Sequence, residues 1–153
     1  MSRSVEVQVS DQRLSLAESS LQKGITILDQ GDEYMIHAGS LGVAFVSPEE
    51  CRELHKRFFN DPEITDVMTF PGDPEDLHAG DIAICPEVAM MASLENGMSF
   101  QSELSLYLVH AWLHLAGLDD RDEAGRKEMR RAESILMDEL AMNSALLSCS
   151  WNP

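Results

Sequence analysis

Residues 110–120 read HAWLHLAGLDD: two histidines four apart, then a glycine and a pair of aspartates. Side chains four apart on a helix stand one above the other, so His110 and His114 can aim their imidazoles at one point. Gly117 then lets the chain turn back, and Asp120, six residues beyond His114, can bring a carboxylate to the same point. Two imidazoles and a carboxylate leave one corner of a tetrahedron free, the arrangement of a catalytic rather than a structural metal site. On spacing alone the same histidines also suit hydrogen-bonded core positions. Asp119 is one position off the ligand spacing and fits either an orienting partner for an imidazole or a turn residue. Glu103, seven residues before His110, shares that helix face about 10 Å away, which suits a supporting role rather than direct chemistry.

Bringing these groups together requires a helix through both histidines and a sharp turn after it. Leu104, Tyr107, Leu108, Ala111 and Leu115 recur at i, i+3, i+4 spacing, which predicts a helix from Ser99 to about Gly117, with that glycine as its left-handed terminator. Upstream, SVEVQV (4–9) alternates as a half-buried strand does, and Leu14, Leu21, Ile25 and Leu28 predict a helix across 11–29. LGVAFV (41–46) reads as a strand, with YMIH (34–37) a further candidate. Ser47-Pro48-Glu49-Glu50 combines a cap, a first-turn proline and a capping-box glutamate, so a helix is expected to run to about Phe59 and stop at Asn60-Asp61-Pro62. TDVMTF (65–70) and DIAIC (81–85) are short strands joined by the acidic loop PGDPEDLHAG (71–80). Pro86 opens a helix through Leu94 that Asn96-Gly97 ends. A last helix spans 122–142. The reading is a single α+β domain over 1–143, a small mixed sheet packed with about five helices, followed by a tail at 144–153.

The 153 residues suffice for one domain with its own core, and no apolar run approaches the roughly 20 residues of a membrane span. The N-terminus lacks the apolar core of a secretory signal, so a cytoplasmic protein with no membrane partner is expected. Cys51, Cys85 and Cys149 are odd in number and form no C-x-x-C pair, which points to reduced thiols. A net charge of −16 argues against broad electrostatic attraction to nucleic acid. The charge is uneven, however: Arg121, Arg126, Lys127, Arg130 and Arg131 follow the histidine motif, whereas residues 58–120 carry no Lys or Arg. That cluster suits a local basic strip or a solvated helix face paired with glutamates such as Glu123 and Glu128.

The motif resembles the H-x-x-L-H-L-x-G-x-D-[H] signature of the YbeY family of bacterial ribosomal-RNA maturation endoribonucleases. TDVMTFP (65–71) resembles that family's T-D-V-L-S-F-P and GDIAIC (80–85) its G-D-I-x-I-S. Glu103-Leu104 matches the E-L before the first histidine, and Met129 with Glu133 the late M-x-x-x-E. The segments occur in the family's order across roughly 41–136. The resemblance implies a zinc ion, one per chain, held by His110, His114 and Asp120, and hydrolysis of single-stranded RNA through that metal. It further implies a role in ribosomal RNA maturation and ribosome quality control, with ribosomal proteins and maturation factors as partners. Thr65 and Asp66 are then expected at the cleft, and Arg57 and Arg121 are the cationic candidates for substrate contact.

Three positions depart from the pattern. Asp120 stands where the third ligand is usually histidine, and its harder oxygen also admits manganese or magnesium. Ala111 replaces the common glycine after the first histidine. Phe59 stands where members often carry an arginine, six residues before the T-D-V segment. Arg57, two residues away along a helix, lies nearly on the opposite side. Two other readings compete with the nuclease. Zinc proteases of the H-E-x-x-H-x-x-G-x-x-[HD] type share the ligand spacing but use a glutamate base where this chain has Ala111. A non-catalytic ribosome-associated factor that keeps its metal site is the alternative that Asp120, Phe59 and the acidic surface favour. His37, His55 and His78 read as incidental.

Overall fold

The computed structural model describes residues 3–61 and 65–153. Its elements run β1 (Val5–Val9), β2 (Leu14–Leu16), α1 (Glu18–Asp29), β3 (Ser40–Phe45), α2 (Pro48–Phe59), β4 (Val67–Pro71), β5 (His78–Ile84), α3 (Pro86–Asn96), α4 (Phe100–Leu115), α5 (Glu123–Met142) and β6 (Cys149–Trp151). A mixed sheet of order β1-β3-β5-β4 pairs β1, β3 and β5 in parallel and adds β4 as an antiparallel edge, while β2 and β6 form a separate antiparallel pair. The fold is α+β with five helices, as the sequence pattern implies.

Helix ends follow their capping chemistry. The Ser47 hydroxyl accepts from Glu50 N at 3.2 Å, Ser99 Oγ accepts from Ser102 N at 3.1 Å, and Asp122 Oδ1 accepts from Gly125 N at 2.6 Å. Asn60 closes α2 and Gly97 closes α3 in left-handed conformations. One face of the sheet, carrying Leu41, Val43, Phe45, Ile82 and Ile84, packs on α1, α4 and α5. Helix α4 is buried around most of its circumference and touches α3, α5, β4, β5 and β6, which fixes it as the axis of the molecule. On the other face, Cys51 of α2 packs with Val46, Met68, Ala83 and Cys85. Among the described residues no helix is long and apolar enough to cross a membrane.

Four stretches depart from the sequence reading. The helix expected from residue 11 starts at Glu18, because Asp11 turns the chain by accepting from Arg13 N (3.1 Å) and Nε (2.9 Å), leaving Leu14–Leu16 extended. Leu14 is buried there too, so its seven-residue spacing from Leu21 mimics a helical repeat. YMIH (34–37) forms no strand; Tyr34 is buried and donates to Glu128 Oε1 at 2.8 Å. The acidic loop is shorter than expected, since β4 runs to Pro71, Pro74–Asp76 form a 3₁₀ turn and β5 begins at His78. The segment 144–153, read as a tail, buries Ala145, Leu147 and Cys149 and pairs β6 with β2, and Arg13 lies 4.6 Å over the Trp151 ring. Leu147→Ala is therefore expected to cost about 2–5 kcal/mol in urea unfolding, the range for emptying a buried leucine site. A cost below about 1 kcal/mol would show that the segment is only loosely attached.

Candidate metal centre

The last two turns of α4 present His110 and His114 on one side. At its end Gly117 N donates to the His114 carbonyl (3.0 Å), Leu118 N donates to the Leu113 carbonyl (3.0 Å), and Gly117 adopts a φ of +100°. This reversal carries Asp120 back over the helix end. Gly125, in the first turn of α5, makes the approach possible: a Cβ there would collide with the Asp119 carbonyl oxygen.

His110 Nε2 and His114 Nε2 stand 3.0 Å apart, and Asp120 Oδ2 lies 3.6 Å from the first and 3.7 Å from the second. Tetrahedral ligands at the usual 2.0–2.1 Å from zinc sit about 3.3 Å from one another, so the triangle has the right size for one ion. Both imidazoles are also held at their far side. His110 Nδ1 donates to Glu133 Oε2 at 2.6 Å, and His114 Nδ1 donates to the Leu118 carbonyl at 3.0 Å. With each Nδ1 proton committed, each neutral ring turns its Nε2 lone pair toward the common point. The donor set thus fits a divalent cation, and the three residues form a group able to hold one. Such an ion would supply Lewis acidity toward water and a phosphoryl oxygen.

The surroundings are acidic. Burial would push the His110 imidazole below its ordinary 6.5, but the hydrogen bond and charge of Glu133, with the charges of Asp66 and Asp120, outweigh it and the pKa is raised. Asp66 is positioned from three directions: its Oδ1 accepts from Val67 N (2.8 Å) and the Thr65 hydroxyl (3.2 Å), while its carbonyl accepts from Cys85 N (3.0 Å). Cys51 Sγ donates to the Thr65 carbonyl at 3.3 Å, which ties the same segment to α2. Beneath it, burial pushes the Tyr107 phenol up to about 12, with the charge of Asp66 adding to the effect.

The triad opens into a cleft of about 330 Å³ that Thr65 and Asp66 also line, together with His55 and Phe59. Thr65 and Asp66 thus line the cleft, whereas Arg57 and Arg121 are not among the described residues lining it. Arg121 pairs with Asp119 at 2.7 Å and is 89% exposed. Asp119 orients that arginine rather than an imidazole, and the Leu118 carbonyl takes the orienting role for His114. Arg131 of the basic strip is paired with Glu33 (2.8 Å) and Glu128 (3.0 Å). Buried Glu103 accepts from Asn96 Nδ2 at 3.0 Å, a structural bond. A larger hollow of about 520 Å³ lies over the outer sheet face at Gln8, Gly42 and Asp81 and holds none of the triad.

For two residues named from the sequence, the contacts come from packing. Glu133 was visible as part of the late M-x-x-x-E, but its contact with His110 depends on how α5 packs against α4. His55 lines the cleft and hydrogen-bonds through Nδ1 to the Asp61 carbonyl at 2.8 Å; its only signal was its helical spacing from Phe59.

The model of the family described as Endoribonuclease YbeY matches residues 4–141. The chain belongs to the YbeY family. An Endoribonuclease YbeY of Koribacter versatilis is 35% identical over 145 residues, 95% of this chain and 87% of that protein. The Chlamydia pneumoniae YbeY is 29% identical over 153 residues, 94% of this chain and 96% of that one. Among solved structures, the solution structure of TM1509 from Thermotoga maritima superposes with a TM-score of 0.62 at 26% identity, covering 91% of this chain and 90% of that one. The match to the YbeY family thus spans both the four-stranded sheet and the His110–His114–Asp120 group.

Two outcomes are expected from the Glu133 contact. Glu133→Gln keeps a hydrogen-bonding side chain but removes the charge, and should lower metal affinity about 10–100-fold in a competition titration against a chromogenic chelator. In metal-free protein the raised His110 pKa adds stability that is complete below the unfolded value near 6.5 and is lost as pH rises through the higher folded value. Urea midpoints taken in chelator should therefore fall as pH rises from about 6.5 through the raised folded value, and fall less in Glu133→Gln. Identical slopes in the two proteins would remove Glu133 as the cause.

Proposed function

We propose that this chain is a metal-dependent endoribonuclease of single-stranded RNA that acts in ribosomal RNA maturation and ribosome quality control. The observation that carries the reading is the convergence of His110 Nε2, His114 Nε2 and Asp120 Oδ2 within one open cleft of a chain that belongs to an endoribonuclease family. Zinc is the proposed ion, since two imidazoles suit it; the Asp120 oxygen keeps manganese and magnesium compatible. Ribosomal RNA is the proposed substrate, ribosomal proteins and maturation factors the proposed partners, and the cytoplasm the proposed location. His110, His114 and Asp120 act through the metal, while Thr65 and Asp66 shape the cleft beside it.

Proteolysis is disfavoured by the residue after the first histidine. Ala111 is fully buried in the core and has no group to take a proton, so the glutamate base of the zinc proteases has no counterpart there. A second reading, a ribosome-associated factor that binds without cutting, is favoured by one observation: no Lys or Arg is among the described residues lining the cleft.

Elemental analysis of protein purified without added metal, combined with cleavage of a single-stranded RNA, separates these readings. Wild type should carry about one divalent ion per chain and cut the RNA. His114→Ala should lose both properties, Asp120→Ala should lose most of its metal, and Asp120→His should keep it. Full metal occupancy in Asp120→Ala would remove that carboxylate from the ligand set. RNA binding without cleavage by metal-loaded wild type would favour the non-catalytic factor.

A further inference from the structure

Helix α2 ends in HKRFFN, and its aromatic side chains do not enter the core. The His55 and Phe59 rings lie one turn apart with centroids at 5.1 Å, Phe58 meets Phe70 of β4 edge-on at 4.9 Å, and Phe59 lies 6.1 Å from Phe70. Phe58 and Phe59 nonetheless leave 56% and 51% of their surface in water. With about half of each ring in water, these two phenylalanines give only part of the apolar burial that a core position would. The cluster's place in the fold is what distinguishes it: Phe59 and His55 line the same cleft as His110, His114 and Asp120.

No Lys or Arg is among the described residues lining that cleft to meet a phosphate. A nucleotide beside the metal centre therefore finds a ring surface rather than a guanidinium. Every nucleobase has a π-face, and stacking on an aromatic side chain is the charge-independent way in which proteins hold unpaired bases. A base inside a duplex is already stacked on its neighbours and offers no free face. We propose that Phe59, braced by His55 and Phe70, is the stacking platform for the unpaired nucleobase adjoining the phosphate at the His110–His114–Asp120 centre. The inference rests on the endoribonuclease reading and deepens it: Phe59 selects single-stranded substrate and substitutes stacking for electrostatic attraction.

The test uses the metal-loaded full chain, fluorescence anisotropy and single-turnover cleavage. The probes are a single-stranded RNA and a set of the same RNA with one abasic ribose walked across the cleavage position. Phe59→Leu keeps apolar bulk without a π-face, and Phe59→Trp enlarges the face. Wild type should bind one abasic probe, next to the cut, about tenfold more weakly than the intact RNA, the order of one stacked base. Phe59→Leu should bind the intact RNA about tenfold more weakly, with little further loss on that abasic probe and with unchanged metal content and melting temperature. Phe59→Trp should match or exceed wild type. If Phe59→Leu binds and cuts intact RNA like wild type, or if its loss simply adds to that of the abasic probe, stacking at Phe59 is overturned while the nuclease reading stands. If metal-loaded wild type neither binds nor cuts any RNA, both fall.

Discussion

The functional geometry depends on two hydrogen bonds on the far side of the imidazoles from the ligand point. Glu133 holds His110 Nδ1 at 2.6 Å and the Leu118 carbonyl holds His114 Nδ1 at 3.0 Å. Each bond fixes a ring rotation and places a proton, and together they leave both Nε2 atoms aimed at a point that Asp120 can also reach. The first partner is distant in sequence and the second is local. Leu118 is in place because Gly117 takes a positive φ, and Glu133 because α5 lies against α4. Helix α4 is buried among α3, α5, β4, β5 and β6, so the rings stand on an element packed from several sides.

The same contacts explain how an acidic protein can present a metal centre. Glu133, Asp66 and Asp120 together raise the His110 pKa, so without a metal the carboxylates draw a proton to the imidazole. A divalent cation satisfies those carboxylates with more charge than the proton it displaces. Proton and metal would thus compete for one electrostatic well, and the acidity that would repel a polyanion elsewhere would help such a centre hold its ion.

What the sequence revealed follows from the range of the interactions involved. The i, i+4 histidines, the glycine turn and the returning aspartate are all encoded within eleven residues, and local periodicity was enough to assemble them. The caps at Ser47, Ser99 and Asp122 were equally local, and the helix boundaries followed. Leu14 failed as a helix marker because a buried strand residue and a buried helix residue seven positions apart satisfy the same pattern. Strand β6 was illegible because its partner β2 lies more than 130 residues earlier, with nothing in SALLSCSWNP to announce the pairing. Glu133 and His55 were missed for the same reason: their roles are created by packing between elements. The family resemblance marked Glu133 as a matching position without saying what it touches.

The two departures at the cleft act in one direction. Relative to the family pattern, Phe59 removes a positive charge and Asp120 adds a negative one, leaving the cleft two formal charges more acidic. A divalent ion bound by the triad is offset by Asp120, with Asp66 lining the same cleft and Glu133 one hydrogen bond away on His110. Little positive field is left to draw a phosphate from a distance, and Arg121 and Arg131, engaged with Asp119, Glu33 and Glu128, do not restore it. Substrate capture must then rely on short-range contact: direct interaction of phosphate with the ion, and apolar or stacking contact beside it. On the proposed nuclease reading, such a site would forgo fast, salt-sensitive encounter and discriminate by shape, which would favour unpaired RNA whose bases and backbone can enter separately. On the proposed stacking role of Phe59, a phenylalanine where the family pattern often has arginine would shift recognition at the cleft from charge to surface.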